Sequence, residues 1–229
     1  MITPVLPQSE SSDPFIRWDW IWGHLDLVWE KVAEHLVLTG IALGVGLSIA
    51  LLLSALALRW RMTYAPITWI TGIAYSIPSL ALFAFLVPIT GFTILTAEIG
   101  LVSYTLLILV RNIVAGIDGV DPAVREAALG MGYTGRRLFF QIELPLALPV
   151  IIAGLRIAGV TTIGLVTVTA LIGQGGVGFF ILRGLNRFFS TEIVLGTLLS
   201  VILAVALDLA LLGVERVLTP WSKHRGATT

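Results

Sequence analysis

Five long apolar runs constrain this 229-residue chain more than any other feature of its sequence. They cover residues 36–58, 65–89, 94–117, 148–172 and 193–214. A helix needs about 20 mainly apolar residues to cross about 30 Å of hydrocarbon, and each run is that long. The expectation is an all-α membrane protein with five transmembrane helices. Composition agrees: 57% of residues are hydrophobic and only 12% charged, where soluble domains carry about 25% charged residues. Fourteen Lys and Arg balance fourteen Asp and Glu. A net charge of zero excludes the basic excess of a nucleic-acid binder and the high charge of a disordered chain. The expected surroundings are a lipid bilayer, with no nucleic acid.

Orientation follows from where the cations fall. With the C-terminus inside, the cytoplasmic segments hold Arg59, Arg61, Arg125, Arg136, Arg137, Arg216, Lys223 and Arg225. The outer segments then hold only Arg17, Lys31, Arg183 and Arg187. The N-terminus is therefore expected outside and the C-terminus in the cytoplasm. The start of the chain carries acids (Glu10, Asp13, Asp19, Asp26, Glu30, Glu34) and Trp18, Trp20, Trp22 and Trp29. Acid excess suits the outer side, and amphipathic Trp rings suit the headgroup layer. This predicts a mobile tip, then an interfacial helix over residues 18–34. The resulting organisation is an extracytoplasmic leader over 1–31, a transmembrane domain over 32–215 with a long loop at 118–147, and a cytoplasmic tail over 216–229.

Several chemistries have no footing. Cysteine is absent, and His24, His35 and His224 stand in no metal-ligand spacing. No catalytic or metal-ligating set is expected. Gly130/Gly132/Gly135 and Gly173/Gly175/Gly178 match Gly-x-Gly-x-x-Gly, yet neither lies in the strand–turn–helix setting of a dinucleotide site. Neither lysine follows a glycine as in a phosphate-binding loop, so ATP is not expected to bind this chain. Charges inside the runs are costly and informative. Arg111, Arg156 and Asp208 are candidates for an intramembrane ion pair, Asp208 with either arginine. Gly40-x-x-x-Gly44 is a candidate helix-packing face.

The most informative stretch is the long loop. Asp121-Pro122 opens a helix, with Asp as N-cap and Pro at its first position. Gly132 is placed to cap its end. Thr134 is placed to cap a second short helix over 136–142, and Pro145 and Pro149 to mark where the fourth span begins. Two short helices on a membrane face would form a docking surface for another protein. Glu126-Ala127-Ala128, then Gly132 after three residues, Ile142 after nine more, and Leu144-Pro145, resembles the EAA loop of type I ABC importer permeases. The resemblance covers roughly residues 32–215. Ser76-Ile77-Pro78-Ser79-Leu80-Ala81-Leu82, Glu143-Leu144-Pro145-Leu146-Ala147-Leu148-Pro149 and Ala170-Leu171-Ile172-Gly173-Gln174-Gly175-Gly176-Val177-Gly178 resemble strings of osmoprotectant permeases. In that family the last string usually has Ala where Gln174 stands here. Methionine permeases share much of the second and third strings, so an amino-acid permease stands as the alternative.

The resemblance implies a multi-pass subunit of the bacterial plasma membrane. Its partners would be an ABC ATPase dimer that holds ATP-Mg, a second permease copy (identical or related) and an extracytoplasmic substrate-binding protein. Its substrate would be glycine betaine, carnitine or choline. Glu126, Ala127, Ala128, Gly132, Arg136, Arg137, Ile142, Leu144 and Pro145 would form the ATPase-coupling loop. Tyr75, Ser76, Pro78, Gly173, Gln174, Gly175 and Gly176 are candidates for the translocation path or gate. Phe83, Phe85, Tyr104, Phe179 and Phe180 are aromatic enough to line a path, though lipid or core contact is the simpler reading. An intramembrane enzyme is the rival from another class. It would need clustered polar groups at membrane depth, and the sequence offers only Glu98, Asp208, Arg111 and Arg156, spread over three runs.

Overall fold

The computed structural model describes residues 14–221. The expected mobile tip, with Glu10 and Asp13, and the end of the tail, with Lys223, His224 and Arg225, lie outside the described residues.

Ten helices are described: α1 (Trp18–Trp22), α2 (Leu25–Arg59), α3 (Tyr64–Ser76), α4 (Ser79–Thr90), α5 (Ile94–Asp118), α6 (Pro122–Gly130), α7 (Gly135–Leu138), α8 (Leu144–Val168), α9 (Gly178–Arg187) and α10 (Ser190–Leu218). Four unbroken helical stretches are long and apolar enough to cross a membrane: α2, α5, residues 135–172 around α8, and α10. A fifth crossing requires counting the stretch 61–76 and α4 as one span bent by 95°. The bend lies at Ile77-Pro78, where both residues are extended. Proline has no N–H to give and pushes the residue before it out of helical conformation. Pro78 therefore breaks a run that the sequence presents as continuous.

The start of α2 also departs from expectation. The predicted interfacial helix over 18–34 is broken at Gly23–His24, and its second half is the beginning of the 35-residue α2. No helix boundary falls at residue 31. The separate short helix α1 is tied elsewhere. The Arg17 amide donates to Thr191 Oγ1 at 2.9 Å, Ser190 Oγ donates to the Phe15 carbonyl at 2.5 Å, and Trp20 meets Phe189 edge-on.

α5 is the central helix. It is buried along most of its length and packs most extensively against α8 and α2. Leu109, Val110, Ile113 and Val114 of α5 meet Ala50 and Ala57 of α2 and Ala158 of α8. Helices in lipid gain nothing from excluding water from one another, so close approach through small residues supplies the packing. Gly46 of α2 lies against Thr105, and Gly154 of α8 against Asn112, with no room for a Cβ at either. The expected packing pair, Gly40 and Gly44, has open space beyond it instead. It turns away from the bundle because α2 presents its Leu38–Ala42–Gly46–Ala50 stripe inward. The outer shell is apolar and bare. On α10 the buried residues are Thr191, Glu192 and Gly196, all within its first two turns. Val201, Ile202, Val205 and Leu209 beyond them face outward. Such a surface fits lipid or another apolar chain, not water.

Candidate functional site

Three places carry chemistry: the 118–149 segment, a cleft at the α3–α4 bend, and a cleft beside the glycine loop.

In the first, Asp121 caps α6 by accepting from the Ala123 amide at 2.8 Å, with Pro122 in the first turn. The helix ends where Gly132 takes a left-handed φ of 85° and the Tyr133 amide returns to the Ala128 carbonyl at 3.1 Å. That closure is the Schellman arrangement, which favours glycine at the left-handed position. The next segment differs from expectation. Thr134 is extended but makes no side-chain cap, and the second short helix is not separate. α7 passes through a π-helical turn, Phe139–Glu143, directly into α8. Pro145 lies in the first turns of α8 and Pro149 inside it, so neither marks a break. Pro145 cannot bond to the carbonyl four residues back, and its ring crowds that carbonyl; the wider π-turn just before it accommodates both.

Glu126 and Ala127 face outward on α6, as do Leu129 and Met131 (54% and 71% exposed). Ala128 and Leu138 lie underneath, Ile142, Leu144 and Pro145 are half-buried, and Arg136 and Arg137 are exposed. Two ion pairs hold this surface in place. Arg125 Nε donates to Glu143 Oε1 at 2.6 Å, and its Nη2 donates to the Ile117 carbonyl at 2.5 Å. Arg61 grips Asp118 through both oxygens at 2.7 and 2.6 Å. One arginine thus joins α6 to the end of α5 and the start of α8. No motif assigns these four residues to each other. Their only signal in the chain is charge beside an apolar run, and their partners lie 18 and 57 positions away.

The second place is a cleft of about 750 Å³ at the α3–α4 bend. Tyr75 and Ser76 line it with Trp69 and Arg111, and Pro78 lies just past its edge. The Tyr104 hydroxyl donates to the Ile77 carbonyl, which the broken helix leaves without an amide partner. Tyr75 stands edge-on to Tyr104 at 5.7 Å. Arg111 faces this cleft and takes no part in the intramembrane ion pair. That pair forms between Arg156 and Asp208, with bonds of 2.8 and 2.9 Å, and Glu215 is 3.4 Å away. It links α8 to α10.

The third place is a cleft of about 470 Å³, to which Gly173, Gln174 and Gly175 contribute with residues of α2 and α9. Glu34 Oε1 accepts from the amides of Gly175 and Gly176 at 3.1 and 3.2 Å, which pins the loop to α2. Gly176 takes a φ of 49° and lies against the His35 backbone with no room for a side chain. The candidate path residues therefore fall into two clefts on different elements. Of the aromatics, Phe83 and Phe180 are core, Phe85 faces outward, and Phe179 has the cations of both Lys31 and Arg183 over its ring. Glu98 is buried on α5, and neither of its carboxylate oxygens has a hydrogen-bond partner among the described residues.

Comparison with known proteins agrees with this architecture. Residues 40–224 match the family described as "Binding-protein-dependent transport system inner membrane component". The glycine betaine/carnitine/choline transport system permease protein OpuCB of Bacillus subtilis is 35% identical over 190 residues, 83% of this chain and 88% of that protein. The choline transport system permease protein OpuBB of the same organism is 36% identical over 195 residues, 85% and 90% of the two chains. The osmoprotectant import permease protein OsmW of Salmonella typhimurium is 34% identical over 192 residues, 82% and 89%. Among solved structures, the inward-facing MetNI methionine ABC transporter superposes with a TM-score of 0.70 at 22% identity, over 89% of this chain and all of that one. An amino acid ABC transporter with histidines gives 0.68 at 16% identity, over 88% and 98%. The fold is that of the ABC importer permeases, and the chain belongs to the binding-protein-dependent transport system inner membrane component family.

Proposed function

We propose that this chain is the membrane-spanning subunit of an ATP-driven importer for a small trimethylammonium osmoprotectant: glycine betaine, carnitine or choline. The N-terminus lies outside and the C-terminus in the cytoplasm, with the α3–α4 pair as one bent span. A separate ATPase dimer holds ATP-Mg and docks on α6, two permease chains enclose the path, and an external binding protein delivers the substrate. The observation that carries the reading is the free face of α6. Glu126, Ala127, Leu129 and Met131 stand clear of the bundle while Arg125 anchors the helix from behind. A small, smooth face with one carboxylate suits a partner's cleft, and the anchor gives motion of α6 a stiff route into α5 and α8. Relatives at 34–36% identity are named for osmoprotectants. The amino-acid transporters of similar fold stand at 22% and 16%. This favours the osmoprotectant over an amino acid.

Reconstitution tests it. Proteoliposomes holding the chain with its ATPase and binding protein should show ATP-dependent uptake of at least one of the three trimethylammonium compounds. Glu126→Lys should abolish that uptake and leave the chain in the membrane. Uptake of methionine alone would overturn the substrate, and full uptake by Glu126→Lys would overturn the docking role of α6.

A further inference from the structure

The cleft beside the glycine loop has a charge pattern with no part in coupling to an ATPase. At about 470 Å³ it lies in the usual range for small-molecule sites, about 300–1,000 Å³. Most of its charges are already engaged. Lys31 Nζ is 2.8 Å from Glu34 and 3.1 Å from Glu30. Arg183 Nε is 2.7 Å from the buried Glu192, and Glu34 also holds the Gly175 and Gly176 amides. Arg187, in the last turn of α9, lines the same cleft with no hydrogen bond or ion pair among the described residues. The side-chain amides of Gln174 and Asn186 line it too, and they are likewise unpartnered among the described residues.

The aromatic in the cleft narrows the choice of ligand. Phe179 has Arg183 over its ring at 4.6 Å and Lys31 at 5.2 Å. A ligand ammonium seeks a free aromatic face, and here the face is occupied by cations. A carboxylate meets the opposite situation: a free guanidinium, able to bond it through two parallel N–H groups, with two amides beside it.

We propose that this cleft binds a carboxylate, that of a zwitterionic trimethylammonium substrate at the outer mouth, and that Arg187 makes the transporter favour such zwitterions over choline, which has none. This assignment rests on the trimethylammonium reading. The same chemistry has a second source, an acidic side chain of the docked binding protein, and substrate choice separates the two.

The test is uptake of glycine betaine, carnitine and choline by proteoliposomes holding the complete transporter and binding protein, with wild type, Arg187→Gln and Arg187→Lys. Losing one charge-assisted hydrogen bond predicts that Arg187→Gln raises KM for glycine betaine and carnitine about tenfold. Choline uptake stays unchanged, and Arg187→Lys restores part of the loss. Equal loss for all three substrates overturns the substrate assignment in favour of binding-protein docking. No loss for any overturns the site. If the wild type carries none of the three, the trimethylammonium reading fails by itself. In that case, or where choline is not carried, saturation-transfer NMR on the purified chain decides the cleft. Glycine betaine contacts that choline lacks and Arg187→Gln removes support it, and their absence overturns it.

Discussion

The two ends of the bundle use scarce charge in opposite ways. At the α6 end, Arg125 and Arg61 reach back to Glu143 and Asp118. Arg125 holds a short helix from behind, Arg61 ties the turn after α2 to the end of α5, and the outer face of α6 stays bare. At the glycine-loop end, Lys31 pairs with Glu34 and Arg183 with the buried Glu192, and Lys31, Glu34 and Arg183 line a cleft with Phe179. The first arrangement suits a macromolecular partner, and the second suits a small ligand. Charge content alone does not separate them; what matters is which side of a helix the charges pull on.

Glycine gives the sharpest contrast. Gly176→Val would drive a side chain into the His35 backbone at a left-handed φ. Overpacking and backbone strain together should cost upward of about 4 kcal/mol. We expect loss of folded protein from the membrane, read by abundance and by thermal unfolding in detergent. Gly132 has an equally left-handed φ of 85° but open space beyond it. Gly132→Val should cost only about 1–3 kcal/mol, so the chain persists while substrate uptake is lost. Equal stability of the two variants would break the contrast between a packed glycine loop and a free-standing helix.

The ion pairs at the α6 end sharpen it further. Arg125→Ala strands Glu143 and frees the Ile117 carbonyl, and should lower stability by about 1–3 kcal/mol. Arg61→Ala removes a pair that is half-exposed and should cost under about 1 kcal/mol. A thermal-unfolding comparison that reversed this order would shift the anchor from Arg125 to Arg61. The smallest effect is expected at Glu98, a buried carboxylate without hydrogen-bond partners among the described residues. Glu98→Gln removes an ionisable group from a place where charge is costly to bury, so the unfolding midpoint should hold or rise. A clear fall would reveal a partner supplied by the assembled complex.

Much of the fold is legible in the sequence because the signals are local. Apolar runs announce α2, α5, α8 and α10. Asp121-Pro122 and Gly132 announce both ends of α6, since caps act within a few residues. The misses share a cause. Gly40 and Gly44 have the right spacing for packing, but the rotation of α2 about its axis, set by α5 and α8, directs Gly46 inward instead. The leader reads as one interfacial helix, yet contacts from Arg17 and Phe15 to Thr191 and Ser190 hold α1 apart from α2. Pro145 looks like a stop, and a π-turn absorbs it.

By itself, then, the sequence determined that the chain lives in lipid, that it is helical, and that a short capped helix stands between its third and fourth apolar runs. Hydropathy and capping are sums over neighbours, so they can be read along the chain. Only the tertiary structure decided that Arg156 rather than Arg111 meets Asp208, that Pro78 bends the second run by 95°, and that the path candidates divide between two clefts. Each of those depends on the relative rotation and depth of helices far apart in the chain, 52 positions in the case of the ion pair, and no local sum contains that.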